Sequence, residues 1–504
     1  MKTIFKAVAL VTIFSIITRT LGFFFRIYLS RKLGPMGIGL YQMATSILGI
    51  FMTLISSGLP LTTAKMVTKY ETLGETNKRD KVVSSSLIVA LIMSIIASVF
   101  IFLLRNVWGI ILTDNRAVEI MLILIPSIIF SAIYSIMRGA LWGQNDYFNC
   151  GLTELLEQII RFALTFIILL SITDSFIATK YSAIAFNITC LISAVIALFI
   201  YLKRGRFNFH KGEYLSLIKS ATPITGVRLA NSLVQPLTTI IIPTMLIMSG
   251  YTSTEAISSY GIIMGMTFPM LFVPMAIIGS ISMVLIPSIT SMLTKNELDS
   301  INSNITKSLE VSVFISMLFI PLYLSVGDII GIVLYDNSFA GVLLQSSAIC
   351  VLPITLCNLT GSLLNALNLE VKSFVNYLIG STVLFISLIA FTPLVGVNSI
   401  IISFFLSMSI ISLLNMRMIK KVVPSLNFDI LKVSLKYYLM IIPTSTLGHF
   451  IANISSVLFN PLFSAIIGGG SSILSTIILC QIFNMYSLKD FFDIVKKKKS
   501  KSTN

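Results

Sequence analysis

Residues 5–29 read FKAVALVTIFSIITRTLGFFFRIYL. A helix needs about 20 mostly apolar residues to cross the hydrocarbon core of a bilayer, and this run supplies them. It is too long for the apolar stretch of a secretory signal, contains Arg19, and is not followed by a small-residue cleavage site. It is therefore read as an uncleaved membrane-spanning helix. Thirteen further stretches have the same character: 37–61, 83–104, 117–141, 152–171, 181–202, 221–248, 257–290, 306–326, 341–366, 373–392, 397–416, 433–452 and 460–484. The eighth is too long for one straight span and is expected to tilt or to extend past the membrane. Pro223, Pro236 and Pro243 predict a bend in the seventh. The expected fold is an all-α polytopic membrane protein with about fourteen transmembrane helices.

Composition agrees. Of 504 residues, 56% are hydrophobic and only 11% charged, and the mean hydropathy is +0.94. So few charges cannot cover a soluble fold of this size, and disordered chains are poor in Ile, Leu and Phe. The runs are long and continuous, unlike the ten-residue alternation of a β-barrel. No GxxxxGK[ST] loop occurs, so the chain has no nucleotide-hydrolysing site of that kind. His210 and His449 are isolated, and the odd set Cys150, Cys190, Cys350, Cys357 and Cys480 has no CxxC. The cysteines read as packing residues, and no metal, cofactor or enzymatic constellation is expected. Gly468–Gly469–Gly470 reads as a close helix contact.

The net charge of +16 looks at first like an affinity for nucleic acid. Its distribution says otherwise. With the N-terminus placed in the cytoplasm, 26 of the 36 Lys and Arg fall in inner segments and five in outer loops. That is a positive-inside pattern, with both termini cytoplasmic and no nucleic-acid partner. The Lys496–Lys499 tail is expected to lie against anionic headgroups of membrane lipids.

The sequence also repeats. Gly109–Asn115 (GIILTDN) and Gly331–Asn337 (GIVLYDN) share five of seven residues, and Pro126 is answered by Pro353. Spans 1–6 and 7–12 then form two parallel copies of a six-helix unit. The expected organisation is a lobe over 1–202, a basic linker over 203–220, a second lobe over 221–420, two extra helices over 421–484 and a basic tail over 485–504.

Five arginines escape the orientation rule, lying inside spans or at their ends: Arg19, Arg26, Arg138, Arg161 and Arg228. An ionised group at mid-bilayer costs at least about 2.5 kcal/mol, so each needs a reason. Arg19 and Arg26 are seven residues apart, on nearly the same helix face, with Gly22 between them and no acid in the span. Arg228 repeats the theme in the seventh span. Glu157 and Arg161 are spaced i, i+4 with the acid first, the favoured order for an ion pair, and read as a structural or gating pair. Unpaired guanidinium groups in a wet cavity suit phosphate, which they hold bidentately. Arg19, Arg26 and Arg228 are therefore candidate ligands for an anionic substrate.

At these residues the chain resembles a known family. Thr18–Phe23 (TRTLGF), Ser30–Pro35 (SRKLGP), Gly37–Tyr41 (GIGLY), Ser57–Pro60 (SGLP), Arg138–Gly139, Leu156–Gln158, Pro223–Arg228 (PITGVR), Tyr260–Gly261 and Ala366–Asn368 look like the stage V sporulation protein B family. That family belongs with flippases for lipid-linked oligosaccharides, in a superfamily that also holds multidrug extrusion pumps. The resemblance implies fourteen helices around a central cavity, and alternating access for an undecaprenyl-diphosphate-linked sugar or peptidoglycan precursor. It further implies a setting in cell-wall or spore-cortex synthesis, with the wall synthases as partners. Arg19 corresponds in this resemblance to a first-helix cavity arginine. That match is to the lipid II flippases of the group, which near Arg26 place an acid, and an arginine one residue earlier, where this chain has Phe25. Two rival readings are an ion-coupled small-molecule exporter and a non-transporting scaffold for wall synthesis. A cavity lined by acids would favour the exporter, and one lined by Arg and Ser or Thr the flippase.

Overall fold

A computed structural model describes residues 2–209, 213–295, 297–426, 428 and 430–483; His210 and the Lys496–Lys499 tail lie outside them. Among the described residues the chain is helical, with no strand. The chain divides into two compact units, Met1–Gly261 and Ile262–Asn504.

The first unit opens with α1 (Lys2–Ser56), whose 55 residues cover the first expected span and most of the second. Its course is broken at Gly34 (φ 68°, ψ 178°), directly before Pro35. Proline excludes helical geometry from the residue before it, and only glycine takes this φ without strain. The two spans therefore meet at one residue, with no loop. There follow α2 (Gly58–Thr72), α3 (Thr76–Leu103), the short α4 (Arg105–Ile111), α5 (Asn115–Gly143), α6 (Tyr147–Leu169), α7 (Ser175–Leu202), α8 (Tyr214–Ser232), α9 (Val234–Met248) and α10 (Ser253–Gly261). The seventh span is the pair α8 and α9, which meet at Leu233 and together form one 35-residue apolar stretch, Tyr214–Met248.

The second unit starts with a π turn, Ile262–Thr267, and α11 (Phe268–Leu271). After Leu271 the helix bends by 42° into α12 (Val273–Thr294), which accounts for the length of the eighth span. Then come α13 (Leu298–Tyr335), α14 (Ser338–Ser347), a 3-10 turn, α15 (Val351–Ala366), α16 (Glu370–Val395), α17 (Asn398–Val422), α18 (Ile430–Leu458) and α19 (Pro461–Ile482). Gly448 on α18 and Gly468 on α19 face each other so closely that a Cβ on Gly468 would lie 2.8 Å from the Gly448 carbonyl oxygen.

Eleven helices among the described residues are long and apolar enough to cross a membrane, twelve with the bent pair. The first, Ile13–Thr72, has 60 residues and contains two of the expected spans. Helix α6 is long enough but carries three residues of acidic or basic type, Glu154, Glu157 and Arg161. With these two adjustments the fold accords with fourteen spans. The protein is a multi-pass membrane protein.

Without water in the bilayer, hydroxyl groups must find partners inside the fold. Ser84 and Thr189 do so by donating to carbonyls four residues back, at 2.8 Å each. All five cysteines are free, and four are buried.

The repeated heptapeptides form the same kind of turn. Thr113 (φ 60°) and Asp336 (φ 55°) are left-handed. Asp114 then caps α5 by accepting from the Arg116 amide (2.8 Å), and Asn337 caps α14 by accepting from the Ala340 amide (2.8 Å). The second copy sets its cap one residue later than the first.

Candidate functional site

Three helix contacts in the first unit create a polar recess. Gly58, at the start of α2, lies against α8: a Cβ there would overlap the Thr225 hydroxyl and come within 2.5 Å of the Ala221 carbonyl. Gly139 on α5 meets the other side of α2, where a Cβ would sit 2.6 Å from the Pro60 carbonyl oxygen. One turn on, Gly143 meets the Ala64 carbonyl in the same way, at 2.7 Å. Small residues four apart let membrane helices approach backbone to backbone. Their neighbours in sequence are then forced toward a common space. Arg138 adjoins Gly139, and Arg228 lies one turn beyond Thr225.

The resulting recess has a volume of about 420 Å³, within the usual range for ligand sites. Its polar lining is Ser56 and Ser57 from the α1–α2 junction, Ser131, Tyr134, Ser135 and Arg138 from α5, and Arg228 from α8. Leu61 and Trp142, both exposed, supply apolar wall. No Asp or Glu lines it. The hydroxyls of Ser56 and Ser57 are buried and have no hydrogen-bond partner among the described residues. Buried hydroxyls are seldom left unpaired, so these two are poised to donate to an incoming acceptor.

The two arginines are held differently. Arg138 Nη2 donates to Glu154 Oε2 on α6 at 2.8 Å, and its guanidinium carbon lies 5.8 Å from the centre of the Tyr134 ring. Both members of the pair are about one third exposed (33% and 37%). Arg228 is exposed and has no hydrogen bond or ion pair among the described residues. One guanidinium is thus carried by a carboxylate and the other is uncommitted. Together with unpaired hydroxyls they form a surface suited to multivalent oxyanions.

Of the three arginines taken from the sequence as candidate ligands, Arg228 lines this recess, and Arg19 and Arg26 do not. Arg19 is exposed on α1 with no ion-pair partner among the described residues. Arg26 is half-buried, within electrostatic reach of the Tyr260 hydroxyl, which shares a 2.7 Å hydrogen bond with Thr239. Glu157 and Arg161 pair with each other within α6, and the Arg161 guanidinium lies 5.0 Å from the Phe186 ring. Their side chains are only 16% and 19% exposed, and neither lines the recess. Gly22 faces Gln158, but a Cβ there would make only ordinary contact with its Oε1, at 3.8 Å, so the position does not require glycine.

In the sequence Arg138 stands out only as one more charged residue within a span. The available signal was Arg138–Gly139 with Gly143 one turn on, and an acid sixteen residues later. The second unit has a recess of its own, about 560 Å³, where His449 Nδ1 lies 3.0 Å from the Ser325 carbonyl and Asn453 Nδ2 3.1 Å from His449 Nε2. No arginine or lysine lines it.

Comparison with known proteins follows the same line. The family model described as "Polysaccharide biosynthesis protein" matches residues 4–293. The chain is 25% identical over 439 residues to stage V sporulation protein B of Bacillus subtilis (strain 168), covering 84% of this chain and 85% of that one. It is 22% identical over 408 residues to the lipid II flippase MurJ of the same organism, covering 73% and 74%. Among solved structures, a lipid II flippase MurJ in an inward closed conformation superposes with a TM-score of 0.66 at 15% identity, over 94% of this chain and 99% of that one. An inward-facing multidrug resistance MATE family transporter of the MOP superfamily gives 0.68 at 12% identity, over 81% and 95%.

Proposed function

Because the chain belongs to the polysaccharide biosynthesis protein family, we propose that it is a flippase for a lipid-linked, diphosphate-bearing sugar. Its substrate is an undecaprenyl-diphosphate-linked oligosaccharide or a peptidoglycan precursor of the lipid II kind. Translocation runs from the inner to the outer leaflet of the cytoplasmic membrane by alternating access. The setting is cell-wall or spore-cortex synthesis, with the wall synthases as partners upstream and downstream. The positive-inside distribution supports cytoplasmic termini.

The observation that carries this reading is the lining of the recess: two guanidinium groups and four serine hydroxyls, with no carboxylate. A diphosphate offers oxyanions to both arginines at once, while its polyprenyl chain stays in the bilayer. Relatives named as a sporulation protein and a lipid II flippase support the same class.

The likeness in fold to a multidrug transporter favours a second reading, an ion-coupled exporter of small molecules. A cationic drug would be repelled by this lining. The test is transport by the purified chain in liposomes, with and without an imposed membrane potential, using a fluorescent polyprenyl-diphosphate sugar and, separately, a cationic dye. Flipping of the lipid-linked sugar, lost in an Arg138→Ala/Arg228→Ala double variant that retains its fold, is the expected result. Dye export without sugar flipping would overturn it. A chain that moves neither would fit the scaffold.

A further inference from the structure

We propose that Glu154 is a resident counter-ion that sets the charge a ligand must carry to enter the recess. It excludes singly charged phospholipid headgroups and yields to a diphosphate. The proposal rests on the reading of the recess as a diphosphate site.

The problem it solves is chemical. A bilayer offers far more monoanionic phosphodiester headgroups than diphosphate lipids. Two free guanidinium groups beside an exposed apolar wall, here Leu61 and Trp142, would collect them indiscriminately. Selectivity then requires an element that penalises the wrong ligand.

Glu154 has the placement for that task. It stands on α6, one turn beyond Cys150, which lines the recess, and itself is outside the lining. From there it binds Arg138 through one hydrogen bond of 2.8 Å. Exposure of both side chains at about one third keeps the pair accessible and weakens it. Glu157, one turn further along α6, provides the contrast: its partner Arg161 is on the same helix, the pair is less than one fifth exposed, and a phenylalanine ring covers the cation. The Glu157 pair is made to last, and the Glu154 pair can be exchanged.

Exchange is a competition for Arg138. A phosphodiester brings a single negative charge, no more than Glu154 already supplies, so displacing the carboxylate gains little. A diphosphate brings at least two charges and more acceptor oxygens, can engage Arg138 bidentately and reaches Arg228 as well. Arg228, which has no resident partner, provides the first attraction, and Arg138 is released only to a ligand that outbids Glu154. No bond is made or broken in this step beyond hydrogen bonds and ion pairs.

The full-length purified chain in detergent tests this, with farnesyl diphosphate and short-chain phosphatidylglycerol as probes. Wild type is expected to prefer the diphosphate. Glu154→Gln is expected to bind phosphatidylglycerol about tenfold more tightly and to lose discrimination between the probes, while Glu154→Asp restores it. A Glu154→Gln chain that unfolds at the wild-type temperature but keeps the wild-type ratio of affinities would overturn the role of Glu154 alone. Wild type that fails to bind farnesyl diphosphate, or an Arg228→Ala chain that binds it unchanged, would overturn the diphosphate site itself. Should Glu154→Gln fold poorly, the Glu154→Asp ratio against wild type and the effect of excess phosphatidylglycerol on wild-type diphosphate binding decide the same question. Competition by the phospholipid at equal concentration would sink the proposal.

Discussion

Gly139 rests directly on the carbonyl of Pro60: a Cβ added to it would lie 2.6 Å from that oxygen and 3.1 Å from the carbonyl carbon. The neighbour is backbone and has nowhere to go. Gly139→Val is therefore expected to push α5 off α2, at a cost of about 1–3 kcal/mol, and to displace Arg138. Gly49, inside α1, meets nothing within 4 Å, so Gly49→Ala should gain about 0.5–1 kcal/mol from helix propensity. Thermal unfolding of both variants in detergent checks the opposite signs. Equal effects would mean that α5 does not rest on the Pro60 carbonyl of α2.

On the proposed reading, Arg228 is expected to serve the site by its shape as much as by its charge. Arg228→Lys keeps the cation but loses the planar fork, so its affinity for a diphosphate lipid should fall between wild type and Arg228→Ala. The alanine variant should lose about tenfold or more, the worth of a charge-assisted hydrogen bond. Binding isotherms with farnesyl diphosphate give the order, and a lysine variant as tight as wild type would rule out bidentate recognition.

The Glu157–Arg161 pair is expected to act as a stability element. Glu157→Gln leaves the Arg161 guanidinium, 19% exposed, without its anion, and should cost about 1–3 kcal/mol. The double variant Glu157→Gln/Arg161→Gln removes both charges and should recover part of that loss. Unfolding temperatures of the two single variants and the double variant yield the coupling. Full additivity would show that the pair contributes nothing.

Just after α7 the chain is held by an ion cluster whose centre, Arg79 and Asp80, is buried. Arg79 donates to Asp80 (2.9 Å), Glu71 (2.9 Å) and the Arg204 carbonyl (3.2 Å), while the Arg206 amide donates to Asp80 (3.2 Å). Arg204 pairs with Asp146 at 2.8 Å, and Tyr70 donates to Glu213 at 2.8 Å, just before α8. Arg79→Ala leaves Asp80, only 7% exposed, without its cation. Trypsin cleavage after Lys203, Arg204 and Arg206 should then accelerate severalfold over wild type. Unchanged cleavage would mean that the segment is held by other bonds.

Most of the architecture was legible because the bilayer imposes a length scale on apolar runs, and the helices accord with the expected spans. What the runs did not disclose are the breaks. That α1 continues through Gly34 with a single left-handed residue depends on one φ angle, and the π turn at Ile262–Thr267 has no compositional mark. The site was half legible. Arg228 was conspicuous as an intramembrane cation, but its companion depends on how α2, α5 and α8 pack, a long-range matter for which Gly58 and Gly139 were the sequence-level traces. Arg19 and Arg26 were conspicuous for the same reason as Arg228, yet neither lines the recess. A charge in a span marks a residue that needs explaining, while the neighbours that explain it come only from the fold.

The Arg138–Glu154 pair also bears on how the chain is made. Arg138 leaves the ribosome ninety residues ahead of Arg228, an interval of roughly 5–20 s at ordinary synthesis rates. For that time an arginine on α5 has to be tolerated by the lipid with the recess still unfinished. Its partner arrives only sixteen residues later, on the next helix of the hairpin, so α5 and α6 can enter the membrane with Arg138 already neutralised. The carboxylate that guards the finished site is also the one that lets its first arginine be inserted.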